Sequence, residues 1–135
     1  MAARTLTVAW GDCDPAGIVF YPNYFRWIDA ATWDLFEAVG GSWDRLQGAF
    51  GPFQIPLLAA ECAFKMPCRR GDALVVESRV VAWERKVFKV AHAIRNGGDT
   101  AVEGFETRCW TIPDAAGRLR SAPIPADVIA LFTDK

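Results

Sequence analysis

Residues 11–31, GDCDPAGIVFYPNYFRWIDAA, set a chain break and a long periodic run back to back, and their reading decides how the protein is organised. The first half places Asp12 and Asp14 around Cys13 and follows them with Pro15 and Gly17, residues suited to a tight turn. Over residues 22–39 the apolar side chains Tyr24, Trp27, Ile28, Ala31, Leu35 and Ala38 recur at steps of three and four. That spacing predicts a helix of about five turns with one buried face. Pro22 fits its first turn, and Gly40-Gly41 stops it. Acids on the turn before such a helix have two readings: a solvated turn, or a carboxylate aimed at a reacting group.

Outward from this segment the pattern changes period. Leu6, Val8 and Trp10 alternate with smaller or polar residues, which predicts a half-buried strand ending at Gly11. Residues 42–50 predict a short helix with the Ser42 hydroxyl as its cap, and residues 51–56 a loop. Residues 57–66, 73–84, 87–95 and 101–112 are β-rich runs, broken by CRRGD (68–72), by a hairpin at ERK (84–86) and by the turn signal NGGD (96–99). One strand, one long helix and then an antiparallel meander describe an α+β fold in which the sheet wraps the helix.

At 135 residues the chain has the size of a single domain, spanning 1–135. Apolar residues make up 52% of it, with six Trp and nine Phe, a richness that calls for a partner to cover apolar surface. The formal net charge of −1 carries no basic footprint for nucleic acid. Cys13, Cys62, Cys68 and Cys109 form no closely spaced pair, so they read as reduced thiols and no metal site is expected. The N-terminal residues have no apolar core of a leader, and no run approaches the ~18 apolar residues of a membrane span. A cytoplasmic protein that engages no membrane is expected.

The run GDCDPAGIVFYPNYFRWIDAA resembles the opening signature of the hot-dog-fold thioesterases of the 4-hydroxybenzoyl-CoA thioesterase family, with weaker counterparts in RRGD, WERKVFK (83–89) and IPAD (124–127). The resemblance implies a five-stranded antiparallel sheet around a long central helix. It also implies sheets joined edge to edge in a homodimer or homotetramer, and active sites at the subunit interface. The implied activity is hydrolysis of an acyl-CoA thioester with no cofactor, coenzyme A being part of the substrate. An aryl or hydroxyaryl acyl group is favoured by the aromatic residues Phe20, Tyr21, Tyr24 and Trp27. Two other readings stay open: a non-catalytic acyl-CoA-binding hot-dog module, and a thioesterase acting on acyl carrier protein.

By the same resemblance Asp14 is the carboxylate that acts on the thioester, as nucleophile or as general base toward water. The backbone N–H at Tyr21, at the positive end of the helix, polarises the carbonyl, and Gly17 lets substrate approach the backbone. Asp12 reads as a turn or cap residue. Asp29 either pairs with Arg26 one turn away or faces a hydroxyl on the bound aryl group. Arg85 and Lys86 are candidates for the phosphates of coenzyme A, beside a Glu84 that dilutes the charge; Arg69 and Arg70 read as turn charges. His92, the one histidine, is expected to be a satisfied strand residue.

Overall fold

In the computed structural model, which describes residues 1–133, five strands pair antiparallel in the order β1-β3-β4-β5-β2. They are β1 (Ala2–Thr7), β2 (Leu57–Phe64), β3 (Ala73–Trp83), β4 (Val87–Asn96) and β5 (Asp99–Cys109). The helices are α1 (Pro22–Gly40), α2 (Trp43–Phe50) and α3 (Ala126–Thr133), and a short ribbon pairs β6 (Thr111–Pro113) with β7 (Leu119–Ser121).

Helix α1 forms where its spacing predicts, with Pro22 in its first turn and Gly41 at φ +87° closing its end. Its buried face is Tyr24, Trp27, Ile28, Ala31, Thr32, Leu35, Phe36 and Val39; Ala38, expected inside, is exposed. The Ser42 side chain accepts from the Arg45 N–H at 3.1 Å and starts α2 as expected.

Three expectations about the strands are corrected. The first strand lies earlier, because β1 pairs with β3 only from Ala2 opposite Ser78 to Thr7 opposite Ala73; Trp10 falls in a turn and is 78% exposed. The meander comprises β3, β4 and β5 alone. Strand β2 lies at the far side and pairs with β5, so CRRGD is a crossover from that edge to β3, the strand next to the opposite edge. The last run splits after Cys109, and Thr111–Pro113 leaves the sheet for the β6–β7 ribbon, which the sequence pattern did not announce.

The sheet's inner face meets α1 in two apolar clusters. Val8, Val19, Tyr24, Trp27, Ile28, Leu74, Val76, Ile94 and Val102 pack around the first half of the helix. Leu35, Phe36, Phe53, Phe88, Val90, Trp110 and Val128 pack around the second, with Phe53 stacked on Trp110 at 4.1 Å. Full burial of a side chain such as Phe36 contributes about 1.5–3 kcal/mol. Gly104 on β5 allows the helix to come close, since a Cβ there would stand 3.3 Å from both Ile28 Cδ1 and Cys62 Sγ. Between the clusters lies a buried polar layer of Thr32, Ser78, His92, Glu106 and Arg108.

Candidate active site

The turn at Asp14 is a three-residue hairpin loop. The Asp14 N–H donates to the Ile18 carbonyl at 2.8 Å, the Gly17 N–H donates back to the Asp14 carbonyl at 2.9 Å, and Cys13 pairs with Val19 below it. Pro15 presets the turn, and Gly17 takes the left-handed position at φ +79°. A Cβ on Gly17 would meet nothing within 4 Å, so within one chain backbone conformation, not space, calls for glycine.

The Asp14 Oδ1 accepts from the Ala16 N–H at 2.8 Å, and among the described residues nothing donates to Oδ2. The chain contains a comparison for this arrangement. Asp114, Ala115, Ala116, Gly117 and Arg118 make the same hairpin loop, with Gly117 at φ +81° and Ala116 N–H on Asp114 Oδ1 at 2.9 Å. There, however, Arg120 Nε donates to Oδ2 at 2.9 Å, and that guanidinium holds the Asp114 carboxyl below the usual carboxylate range. Asp14 has the same turn without the clamp. It lines a pocket of about 590 Å³ together with Trp10, Gly11, Cys13, Pro15, Gly17 and Arg70.

Asp12 is structural, as its reading suggested. Its side chain accepts from the Ala9 N–H at 2.8 Å and from Arg26 at 3.4 Å, while its carbonyl accepts from Phe20 N–H and Asn23 Nδ2. At the helix start most backbone donors are already paired. The Phe20, Asn23 and Tyr24 N–H groups all find carbonyls and Pro22 has none to offer, which leaves Tyr21 as the one backbone donor of this segment without an acceptor among the described residues. Phe20, Tyr21, Phe64 and Tyr24 then form a chain of ring contacts at 5.6–6.3 Å, running from the hairpin to the β2 edge.

Asp29 is not paired with Arg26. It is half exposed on α1 and accepts from Arg108 Nη2 at 2.6 Å, a partner 79 residues away. Arg85 and Lys86 lie on the β3–β4 hairpin, where their carbonyls accept from Ile124 and Trp110. The eleven residues of β3 separate them from the Asp14 end of the same chain, about 30 Å at the usual strand rise. Arg70, left as a turn charge by the sequence, does reach the pocket, because its neighbour Arg69 bridges Ile18 and brings the crossover against the hairpin.

One further constellation has the composition of a hydrolytic triad. Ser78 Oγ lies 2.6 Å from His92 Nδ1, and His92 Nε2 lies 3.2 Å from Glu106 Oε1. All three are at most 3% exposed beneath α1, so no substrate reaches the hydroxyl. His92 is the satisfied strand residue that its position suggested. Cys68 and Cys109 are buried free thiols, and burial followed by the nearby Glu106 and Glu61 charges pushes the half-buried Cys62 up to about 11.

The thioesterase-like superfamily profile matches residues 8–132. The chain belongs to the thioesterase-like superfamily. It is 34% identical to the 4-hydroxybenzoyl-CoA thioesterase of Pseudomonas sp. (strain CBS-3), over 96% of this chain and 98% of that one. A solved variant of 4-hydroxybenzoyl-CoA thioesterase in complex with 4-hydroxybenzoyl-CoA superposes with a TM-score of 0.86 at 33% identity, covering 97% of each chain. A gentisyl-coenzyme A thioesterase gives 0.81 at 30% identity, covering 98% of this chain and 99% of the other. The hot-dog fold and the assignment as a thioester hydrolase follow from this membership, and they agree with the sheet and central helix described above. No helix among the described residues is long and apolar enough to cross a membrane.

Proposed function

We propose that this thioesterase hydrolyses the coenzyme A thioester of an aryl or hydroxyaryl acid in the cytoplasm, with Asp14 as its reacting carboxylate. The observation that carries the reading is the unclamped Asp14 Oδ2 at a pocket of about 590 Å³, set against the clamped Asp114 in the same type of turn. As general base Asp14 takes a proton from water while the oxygen attacks the thioester carbon. As nucleophile it forms a mixed anhydride that water then cleaves. In both routes the C–S bond breaks, the coenzyme leaves as thiolate and a free carboxylic acid remains. The Tyr21 N–H, at the positive end of α1, donates to the oxygen on which negative charge grows.

Asp29 stands eight residues along α1 from Tyr21, about 12 Å of helix. That matches the reach of an aryl group with a hydroxyl at its far end and a hydrogen bond at each end. Two relatives are named for hydroxyaryl-CoA substrates, which supports the same acyl class. A turnover panel of 4-hydroxybenzoyl-CoA, benzoyl-CoA, short and long aliphatic acyl-CoA, and an acyl carrier protein thioester tests the reading. The hydroxyaryl thioester is expected to give the highest kcat/KM; a preference for aliphatic or carrier-protein thioesters overturns the assignment, and binding without turnover marks a non-catalytic module.

Assembly belongs to the same proposal. Strand β2 leaves an unpaired edge, with Leu57, Leu58 and Phe64 about half exposed on it. Pairing that edge with a second copy in a homodimer, or in a homotetramer built from such dimers, covers it and encloses the aromatic chain at Tyr21. Because Arg85 and Lys86 lie a strand's length from Asp14, they would serve the coenzyme bound at a neighbouring subunit's pocket. Replacing both by Ala is expected to raise KM for the CoA thioester with little change in kcat, and the rise should shrink in high salt. Steady-state kinetics at two ionic strengths checks this; a loss confined to kcat assigns the hairpin a structural role.

A further inference from the structure

The buried polar layer ends at a residue that the proposed site uses. Arg108 is 2% exposed and its guanidinium is held on three sides. Its Nε and Nη2 donate to the two oxygens of Glu106 at 3.2 and 2.9 Å, and its Nη1 donates to the Ile55 carbonyl at 3.0 Å. The Trp33 ring lies 5.7 Å from the guanidinium carbon. Glu106 is fixed in turn by Thr32 and by His92, whose other nitrogen meets Ser78. With Nε and its first hydrogen on Glu106, Nη2 donates its remaining hydrogen to Asp29 Oδ1 at 2.6 Å. Asp29 itself is half exposed, and among the described residues nothing donates to its Oδ2.

We infer that Arg108 is a positioning residue for substrate selection: it locks the Asp29 carboxylate so that Oδ2 stands ready to accept a hydrogen bond from a hydroxyl on the acyl group. The inference rests on the reading of Asp29 as a substrate contact. A carboxylate on an exposed helix turn ordinarily samples several rotamers, and ordering it on substrate binding costs affinity. Arg108, itself fixed by its bidentate fork on Glu106, removes part of that cost in advance through a single N–H bond to Asp29 Oδ1. A lysine could not reproduce it, since an ammonium is a point charge on a flexible stem. The selection is borne by a buried core residue that never touches substrate.

The test is the ratio of kcat/KM for 4-hydroxybenzoyl-CoA to that for benzoyl-CoA. A structural role for Arg108 lowers both terms alike and leaves the ratio unmoved. Asp29→Ala should abolish the wild-type preference for the hydroxylated substrate. Arg108→Lys, which keeps a cation beside Glu106, should lower the ratio about tenfold or more. The double variant should have the same ratio as Asp29→Ala alone. If the wild type shows no preference, or Asp29→Ala retains it, the reading of Asp29 falls and the inference with it. If Asp29→Ala loses the preference but Arg108→Lys keeps it, the inference alone is overturned. Should Arg108→Lys fail to accumulate folded, the pair Glu106→Gln with Arg108→Met removes both buried charges together and is read by the same ratio.

Discussion

Asp14→Asn is expected to lower kcat for an aryl-CoA by about 10²–10⁴-fold while leaving a folded protein that still binds substrate. The substitution preserves size, and the new amide oxygen can still accept from the Ala16 N–H, so the hairpin and its Gly17 conformation persist. What is lost is the anion, which in the proposed mechanism either attacks the carbonyl or takes a proton from water. A small residual rate should remain because the Tyr21 donor is backbone and is untouched. Asp12→Asn should cost far less, since its carboxylate is engaged with Ala9 and Arg26. Steady-state hydrolysis by both variants, with calorimetric binding measured separately, checks the pair. Near-normal turnover in a folded Asp14→Asn protein would return this acid to the role of a turn residue.

The second large effect is on stability. Glu106→Ala removes the buried carboxylate that pairs with Arg108 and leaves its guanidinium only the half-exposed Asp29, a class of change that costs about 3–5 kcal/mol out of a typical total of about 5–15 kcal/mol. The same residue shapes the acid limb of stability. Burial pushes the Glu106 carboxyl up, but hydrogen bonds from His92, Arg108 and Thr32 outweigh it and hold the group below the usual carboxylate range. A carboxyl depressed by folding contributes stability that is complete above its unfolded value, about 4.3 for Glu, and is lost as pH falls through the lower folded value. The difference in urea midpoint between wild type and Glu106→Gln should therefore be constant near neutral pH and narrow below about pH 4. A difference that stays flat down to pH 2 would show that the pairing with Arg108 contributes nothing net.

The long helix, its buried stripe, the cap at Ser42 and the Asp14 turn were legible because each is written within one or two turns of chain. The order of the strands was not. Strands β2 and β3 follow one another and both read as β, yet only the distant pairing of Cys62 with Gly104 reveals that β2 belongs beside β5. Arg108 illustrates the same limit at the site. It sits in a run that reads as an ordinary half-buried strand, and its partners Asp29 and Ile55 are 79 and 53 residues away. Thr32 was missed within the helix because hydrophobic periodicity registers no polar residue. A buried threonine, histidine, glutamate and arginine at inward positions become intelligible only once the sheet stacks them. Arg70 reads as a turn charge in the sequence, and the bridge that brings it to the pocket joins residues 18 and 69.

The two hairpins also bear on how such an acid comes to be usable at all. Counting six residues on from each aspartate, Arg120 occupies the place that Phe20 holds at the other turn. The loop, the glycine and the amide on the first carboxylate oxygen are common property of both, so none of them separates an idle turn from an available one. The separation lies beyond the loop: at one turn the Arg118 N–H adds a second bond to the first oxygen and Arg120 satisfies the second, whereas at the other a half-exposed phenyl ring stands in the arginine's place. A fold carrying the same five-residue loop twice thus holds one acid in permanent occupation and one at liberty, and what occupies the first is a cation six residues on together with one further backbone amide.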